Sequence, residues 1–203
     1  MTHGARFQNN PGPRHWEALV HVAQYIRGTL GYKLTYQRGG ELAPVGYVDA
    51  DWGGCRVTRR STSGHVFFMA GAPVAWGAKR QASVALSTVE AEYIALARAS
   101  QQAVWMASWL SEVGLPVAGP IRLYGDNEGS QSLTENSKHH GLVKHIDMRH
   151  HHIREKIARK QVEVVDIAGE ENVGDLFMKV LAGPKHKYFV SFLGLDAAEQ
   201  GGC

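Results

Sequence analysis

Only two cysteines, Cys55 and Cys203, occur among 203 residues, and they form no CxxC pair. That scarcity excludes a disulfide framework and a thiolate zinc site, and makes a reducing compartment the expectation. No apolar run approaches the roughly 20 residues needed to cross a bilayer. The first ten residues lack the hydrophobic core of a signal peptide. No membrane partner and no secretion are therefore expected, and placement is intracellular, cytoplasmic or nuclear. Neither sign of charge dominates: 22 Lys and Arg against 19 Asp and Glu leave a formal +3. That balance is compatible with a polyanionic partner without establishing one. A chain of this length, 44% hydrophobic and 20% charged, fits one sizeable globular domain, or one domain with a short leading piece.

The leading piece is 1–40. Pro11 and Pro13 precede a helical pattern in which Trp16, Leu19, Val20, Ala23, Ile26 and Leu30 recur at three- and four-residue steps. A short strand over 32–36 ends at Gly39-Gly40. The main unit, 41–183, opens with a strand over 45–51 that alternates Tyr47, Asp49 and Asp51 with Val48 and Ala50. A polar loop from Gly53 to Ser63 leads to strands over 65–70 and 74–77, an antiparallel meander. A long helix over 88–112 follows, begun by a Ser87/Glu90 capping box and stopped by Gly114 and Pro116. Val89, Tyr93, Leu96, Ser100, Ala103, Ala107 and Leu110 form its inward stripe. Then come a strand at 120–125, a short helix near 128–135, a helix at 145–159, a strand at 162–167 and a helix at 173–181. The tail, 184–203, adds a C-terminal helix. This order predicts an α/β fold with a five-stranded mixed sheet flanked by helices, the strand at 120–125 lying beside the one at 45–51.

Four carboxylates stand where these elements would aim them at one place: Asp49, Glu92, Asp126 and Asp175. Converging carboxylates are hard oxygen ligands suited to Mg²⁺, and paired Mg²⁺ ions serve displacement at phosphorus. Each also has a plain structural reading. Asp49 and Asp51 could be a solvated pair, although Asp is disfavoured in strands. Asp126 could cap the helix that follows it, and Asp175 could complement a helix dipole. On the long helix, about 100° per residue turns Glu92 toward the sheet and leaves Glu90 to the cap.

The strings Gly46-Tyr-Val-Asp-Ala-Asp-Trp-Gly-Gly54, Arg59-Arg-Ser-Thr-Ser-Gly64, Leu86-Ser-Thr-Val-Glu-Ala-Glu-Tyr-Ile-Ala95, Tyr124-Gly-Asp-Asn127 and Asn172-Val-Gly-Asp-Leu176 resemble the ribonuclease H domain of copia-type LTR retrotransposon polyproteins. Residues 6–36 are similar to the segment that joins the family's reverse transcriptase to that domain. The resemblance implies a ribonuclease H-like fold and endonucleolytic cleavage of the RNA strand of an RNA–DNA hybrid. It further implies two Mg²⁺ ions, replaceable by Mn²⁺, held by Asp49, Glu92, Asp126 and Asp175, and a reverse transcriptase polypeptide as partner. The chain departs from the family pattern at Cys55 and His152, and at Gly174, Met178 and Val180, which replace a usual Ala, Thr and Pro. Two rival readings remain: an inactive remnant that folds and binds nucleic acid, and a DNA-directed nuclease on the same fold.

Consecutive histidines at 150–152 point about 100° apart on a helix and cannot close on one zinc ion. The outer face of that helix carries His145, Arg149, His152, Lys156 and Lys160, a ridge fit for phosphate contacts or merely for solvent. Arg56, Arg59 and Arg60 in the polar loop are candidates on the same terms.

Overall fold

A computed structural model describes residues 7–125 and 144–197, with only the backbone given for 144–150 and 196–197. Seven strands are described: β1 (Tyr32–Leu34), β2 (Val45–Asp51), β3 (Thr62–Met69), β4 (Ala72–Arg80), β5 (Ile121–Gly125), β6 (Val162–Asp166) and β7 (Leu195–Ala197). The helices are α1 (Pro13–Gly28), α2 (Thr88–Glu112), α3 (Lys144–Ala158) and α4 (Gly183–Phe192), with a 3₁₀ turn over Val173–Phe177. None of the described helices is long and apolar enough to cross a membrane.

Five strands form one sheet in the order β4-β3-β2-β5-β6. The first three are antiparallel, and β5 runs parallel to both β2 and β6. This is the expected mixed sheet of a ribonuclease H-like fold, with β5 beside β2. The meander strands are longer than the sequence predicts. Thr62 and Ser63 pair with Arg80 and Lys79, so polar residues assigned to the loop join the ladder. β4 tolerates Pro73 and its terminal charges because it is an edge strand.

Alternation along β2 divides the core. Val48 and Ala50 pack under α2 with Phe67, Leu96 and Leu123. Tyr47 faces the opposite side, stacked on Tyr124 at 5.1 Å and edge-on to Phe68 and Phe192, where Val66, Val173 and Phe189 form a second cluster. Helices thus cover one sheet face, and the 3₁₀ turn with α4 covers the other. Gly46 allows this packing, since a Cβ there would fall 2.7 Å from both Leu123 and Phe67.

The apolar stripe of α1 is open: none of its residues is buried, and Trp16 and Leu19 are 68% and 52% exposed. Periodicity reports that a helix has an apolar face, not that the same chain covers it. The helix predicted at 173–181 is only the short 3₁₀ turn, because Met178 leaves helical geometry. At the other end of the molecule β1 pairs antiparallel with β7, Tyr32 opposite Ala197, so the leading segment and the tail share a two-stranded ribbon. The helix expected at 128–135 lies outside the described residues.

Candidate active site

β5 pairs with β2 only as far as Tyr47 opposite Tyr124. Beyond that register the N–H of Ala50 is left for side chains, and two carboxylates take it. Asp49 Oδ1 accepts it at 2.8 Å and Glu92 Oε1 at 3.1 Å. Sharing one amide hydrogen brings together acids 43 positions apart, one from the strand and one from the first turns of α2. Both are nearly inaccessible. The helical-face reading of the two glutamates holds: Glu90 stays outside this pocket as part of the cap. Its N–H reaches Ser87 Oγ at 3.1 Å, while its carboxylate accepts from Leu86 N–H at 2.7 Å.

Asp175 arrives on the opposite side of Asp49, from the 3₁₀ turn. Asn172 places it there. The Asn172 Oδ1 accepts from Gly174 N–H at 3.0 Å, capping the turn, and its Nδ2 donates to Val48 O at 2.8 Å. Gly174 makes the approach possible, because a Cβ would lie 2.9 Å from Asn172 Oδ1 and 3.2 Å from Asp49 N. The glycine that departs from the family pattern therefore fits a tight contact in this chain. Asn172→Ala should cost about 1–3 kcal/mol, as the cap is lost and a buried carbonyl is left unsatisfied. Chemical denaturation measures it, and an unchanged midpoint would contradict the role given to Asn172.

The sequence reading missed the cations of this site. Lys179 Nζ lies 2.8 Å from Asp49 Oδ2 and also contacts Asp175 Oδ1. Lys185 Nζ donates to Asp175 Oδ2 at 2.8 Å. The clue was available: Lys179 stands four residues after Asp175, one helical step on the same side.

Burial pushes the Asp49 carboxyl up to about 7, with the adjoining Asp175 adding to the rise and Lys179 opposing it. Burial, then the charge of Asp49, pushes Glu92 up to about 9. At Asp175 burial acts upward too, but hydrogen bonds from Asp49, Lys179 and Lys185 outweigh it and hold the acid down at about 2. For Lys179 burial is outweighed by the two aspartates, which raise its pKa. Unfolded carboxyls titrate near pH 4. From there up to about 7 for Asp49 and 9 for Glu92, the folded state binds more protons than the unfolded, so stability without metal falls as pH rises through that window. Asp175 works the other way, its contribution being present above about pH 4 and lost as pH falls toward 2. Melting curves in EDTA from pH 5 to 9 should therefore decline in midpoint, and a rising midpoint would refute the buried, proton-holding pair.

The donor set is hard oxygen throughout, which fits Mg²⁺ or Mn²⁺. Asp175 Oδ1 is buried and pairs with Lys179, whose ammonium already lies between Asp49 and Asp175. Among the described residues no three His, Cys, Asp or Glu side chains form a ready metal cage. Lys179 stands within the cluster, and Asp126, the fourth expected ligand, lies outside the described residues. It follows directly on Gly125, which lies over the Val48 carbonyl.

Asp51 does not join the cluster. It folds against Gly54, where a Cβ would fall 1.6 Å from Oδ2. Arg56 and Arg59 are exposed and Arg60 half-buried, on a loop closed by Arg59 N–H to Cys55 O at 2.7 Å. The Arg149 side chain lies outside the described ones, and Lys156 is half-buried. His152 is not on the outer face that periodicity gave it: it is half-buried, with Nε2 enclosed and without a hydrogen-bond partner.

No protein-family model matches the chain. It is 38% identical over 184 residues to the retrovirus-related Pol polyprotein from transposon TNT 1-94 of Nicotiana tabacum, covering 91% of this chain and 14% of that one. It is 47% identical over 102 residues to secreted RxLR effector protein 161 of Plasmopara viticola, covering 50% of this chain and 72% of the effector. Among solved structures, the N-terminal RNase H domain of Rv2228c from Mycobacterium tuberculosis superposes with a TM-score of 0.48 at 12% identity, over 74% of this chain and 98% of that one. The chain thus spans a small part of the polyprotein it matches, while that polyprotein accounts for nine-tenths of the chain. Over nine-tenths of its length the chain is homologous to copia-type, retrovirus-related Pol polyproteins of transposons.

Proposed function

We propose that this chain is a ribonuclease H, hydrolysing the RNA strand of an RNA–DNA hybrid with two Mg²⁺ ions held by Asp49, Glu92, Asp126 and Asp175. The observation that carries this reading is the meeting of Asp49, Glu92 and Asp175 from three distant segments: Asp49 shares the Ala50 amide with Glu92 and the Lys179 ammonium with Asp175. Bound Mg²⁺ supplies Lewis-acid polarisation at phosphorus and a water acidic enough to attack. The protein's own part is to hold these acids rigidly. Asn172 ties the Asp175 turn to β2, and the Ser87 cap fixes the start of α2 just before Glu92. The scissile phosphate would lie against Asp49, where Lys179 and Lys185 offer positive charge to its oxygens. Preference for RNA would come from contacts to 2′-hydroxyls. The open apolar face of α1 fits a reverse transcriptase polypeptide as the neighbouring partner, with 1–40 as the connecting segment.

Cleavage of an end-labelled hybrid in Mg²⁺, beside duplex DNA and duplex RNA, tests the reading. Cutting of the RNA strand of the hybrid alone supports it. Cutting of duplex DNA points to a DNA-directed nuclease, and no cutting by a folded, Mg²⁺-binding protein points to an inactive remnant.

A further inference from the structure

Away from the carboxylates, a groove runs between α2 and the edge strand β4. Two cavities of about 310 and 420 Å³ make it up, and they share Arg98 and Gln101 in their walls. The inner one begins beside the candidate active site: Gln81, on its lining, donates from Nε2 to the carbonyl of Ala91, the residue before Glu92. The outer one ends at Trp76 and Trp105. From Ile94 to Trp105 the helix wall is about 16 Å long, at roughly 1.5 Å per residue.

Its chemistry is one-sided. Lys79, Arg80 and Arg98 line it, and neither cavity has an Asp or Glu in its wall. Gln81 is 4% exposed and is fixed by its Nε2, which donates to Ser63 Oγ at 3.0 Å and to the Ala91 carbonyl at 2.9 Å. His65 forms the floor of the outer cavity. Its ring lies so close over β4 that only glycine fits opposite: a Cβ on Gly77 would fall 2.8 Å from it. Burial, reinforced by the nearby Arg98 charge, keeps that imidazole below its ordinary pKa. Trp76 and Trp105 are 58% and 59% exposed, large aromatic faces that nothing in the described chain requires to be at the surface.

We propose that this groove binds a single strand of nucleic acid leading to or from the carboxylate site, its phosphates held by Lys79, Arg80 and Arg98 and its bases stacked at Trp76 and Trp105. Cationic grooves with aromatic platforms track single strands without needing sequence. Cavities of this size between a helix and a sheet edge admit bases singly and exclude a duplex. The run of positive charge along its walls, beside two exposed indoles, suits a polyanion that carries aromatic bases. The inference rests on the proposed function only for the choice of a nucleic-acid ligand.

Binding of fluorescein-labelled oligo(dT) to the full chain, followed by anisotropy in EDTA at low and moderate salt, tests it. Cleavage of a short blunt hybrid and sedimentation are measured in parallel. The parent should bind, with affinity falling as salt rises. Trp105→Ala and Arg98→Glu should each weaken binding about tenfold or more, Trp105→Phe should restore it to within about threefold, and hybrid cleavage should change little. A parent that ignores the oligonucleotide, or variants that bind like the parent, overturns the proposal even if the hybrid is cut. Variants that leave binding intact but abolish self-association in sedimentation overturn it in favour of a protein interface. Groove-dependent binding without hybrid cleavage leaves the proposal standing and removes the nuclease reading.

Discussion

Glu92→Gln is expected to reduce hybrid cleavage by at least about 100-fold while leaving the metal-free fold as stable as before. Changes in the shell behind a metal's ligands already cost about 10–100-fold, so loss of a ligand costs no less. The preserved fold follows from the proton that Glu92 carries. With its carboxyl pushed up to about 9 by burial and by Asp49, the side chain is neutral at pH 7 without metal, and a glutamine amide matches it in charge and shape. The Gln oxygen can still accept the Ala50 N–H. The same substitution should flatten the decline of melting midpoint between pH 5 and 9. Glu90→Gln, at the cap, should keep full activity and cost at most about 1 kcal/mol. Should Glu90→Gln be the inactive one, or should Glu92→Gln unfold the protein at neutral pH, the division of labour between the two glutamates is wrong.

Lys179→Met should act in the opposite sense. Removing one member of a buried ion pair costs about 3–5 kcal/mol, and partial exposure of the Lys179 side chain reduces that to about 1–3 kcal/mol. At roughly 2–4 °C per kcal/mol for a domain of this size, the EDTA melting midpoint should drop by several degrees. Added Mg²⁺ should then stabilise the variant more than the parent, since an ion binding the folded state no longer competes with an ammonium for Asp49 and Asp175. Equal midpoints in EDTA, or a smaller Mg²⁺ response in the variant, would show that Lys179 merely lies near the carboxylates.

The sequence was most legible where local chemistry and tertiary packing agree. The bounds of α2 follow from Ser87 and Gly114, which any helix of this length would need, and the two faces of β2 follow from strict alternation. Asp49, Glu92 and Asp175 could be read because a carboxylate at a buried strand or helix position needs a reason to be there. What stayed hidden depended on partners distant in sequence. The spacing of Lys179 from Asp175 hints at their pairing, but nothing local announces its reach to Asp49, far away in sequence. His152 was misplaced because ideal periodicity says which way a side chain leaves its helix but not what packs over it. Gly174, read as a departure from the family pattern, acquires its meaning only from the Asp49 backbone pressed against it.

The ribbon between β1 and β7 has a consequence for synthesis. Tyr32 leaves the ribosome long before Ala197, so β1 must wait through the translation of most of the described residues before its ladder can close. Closing so long a loop is among the slower events in folding. During that interval the apolar side of α1 stays open, and the leading segment is not yet tied to the tail. The direction of translation therefore makes this ribbon the last ladder of the described residues to form.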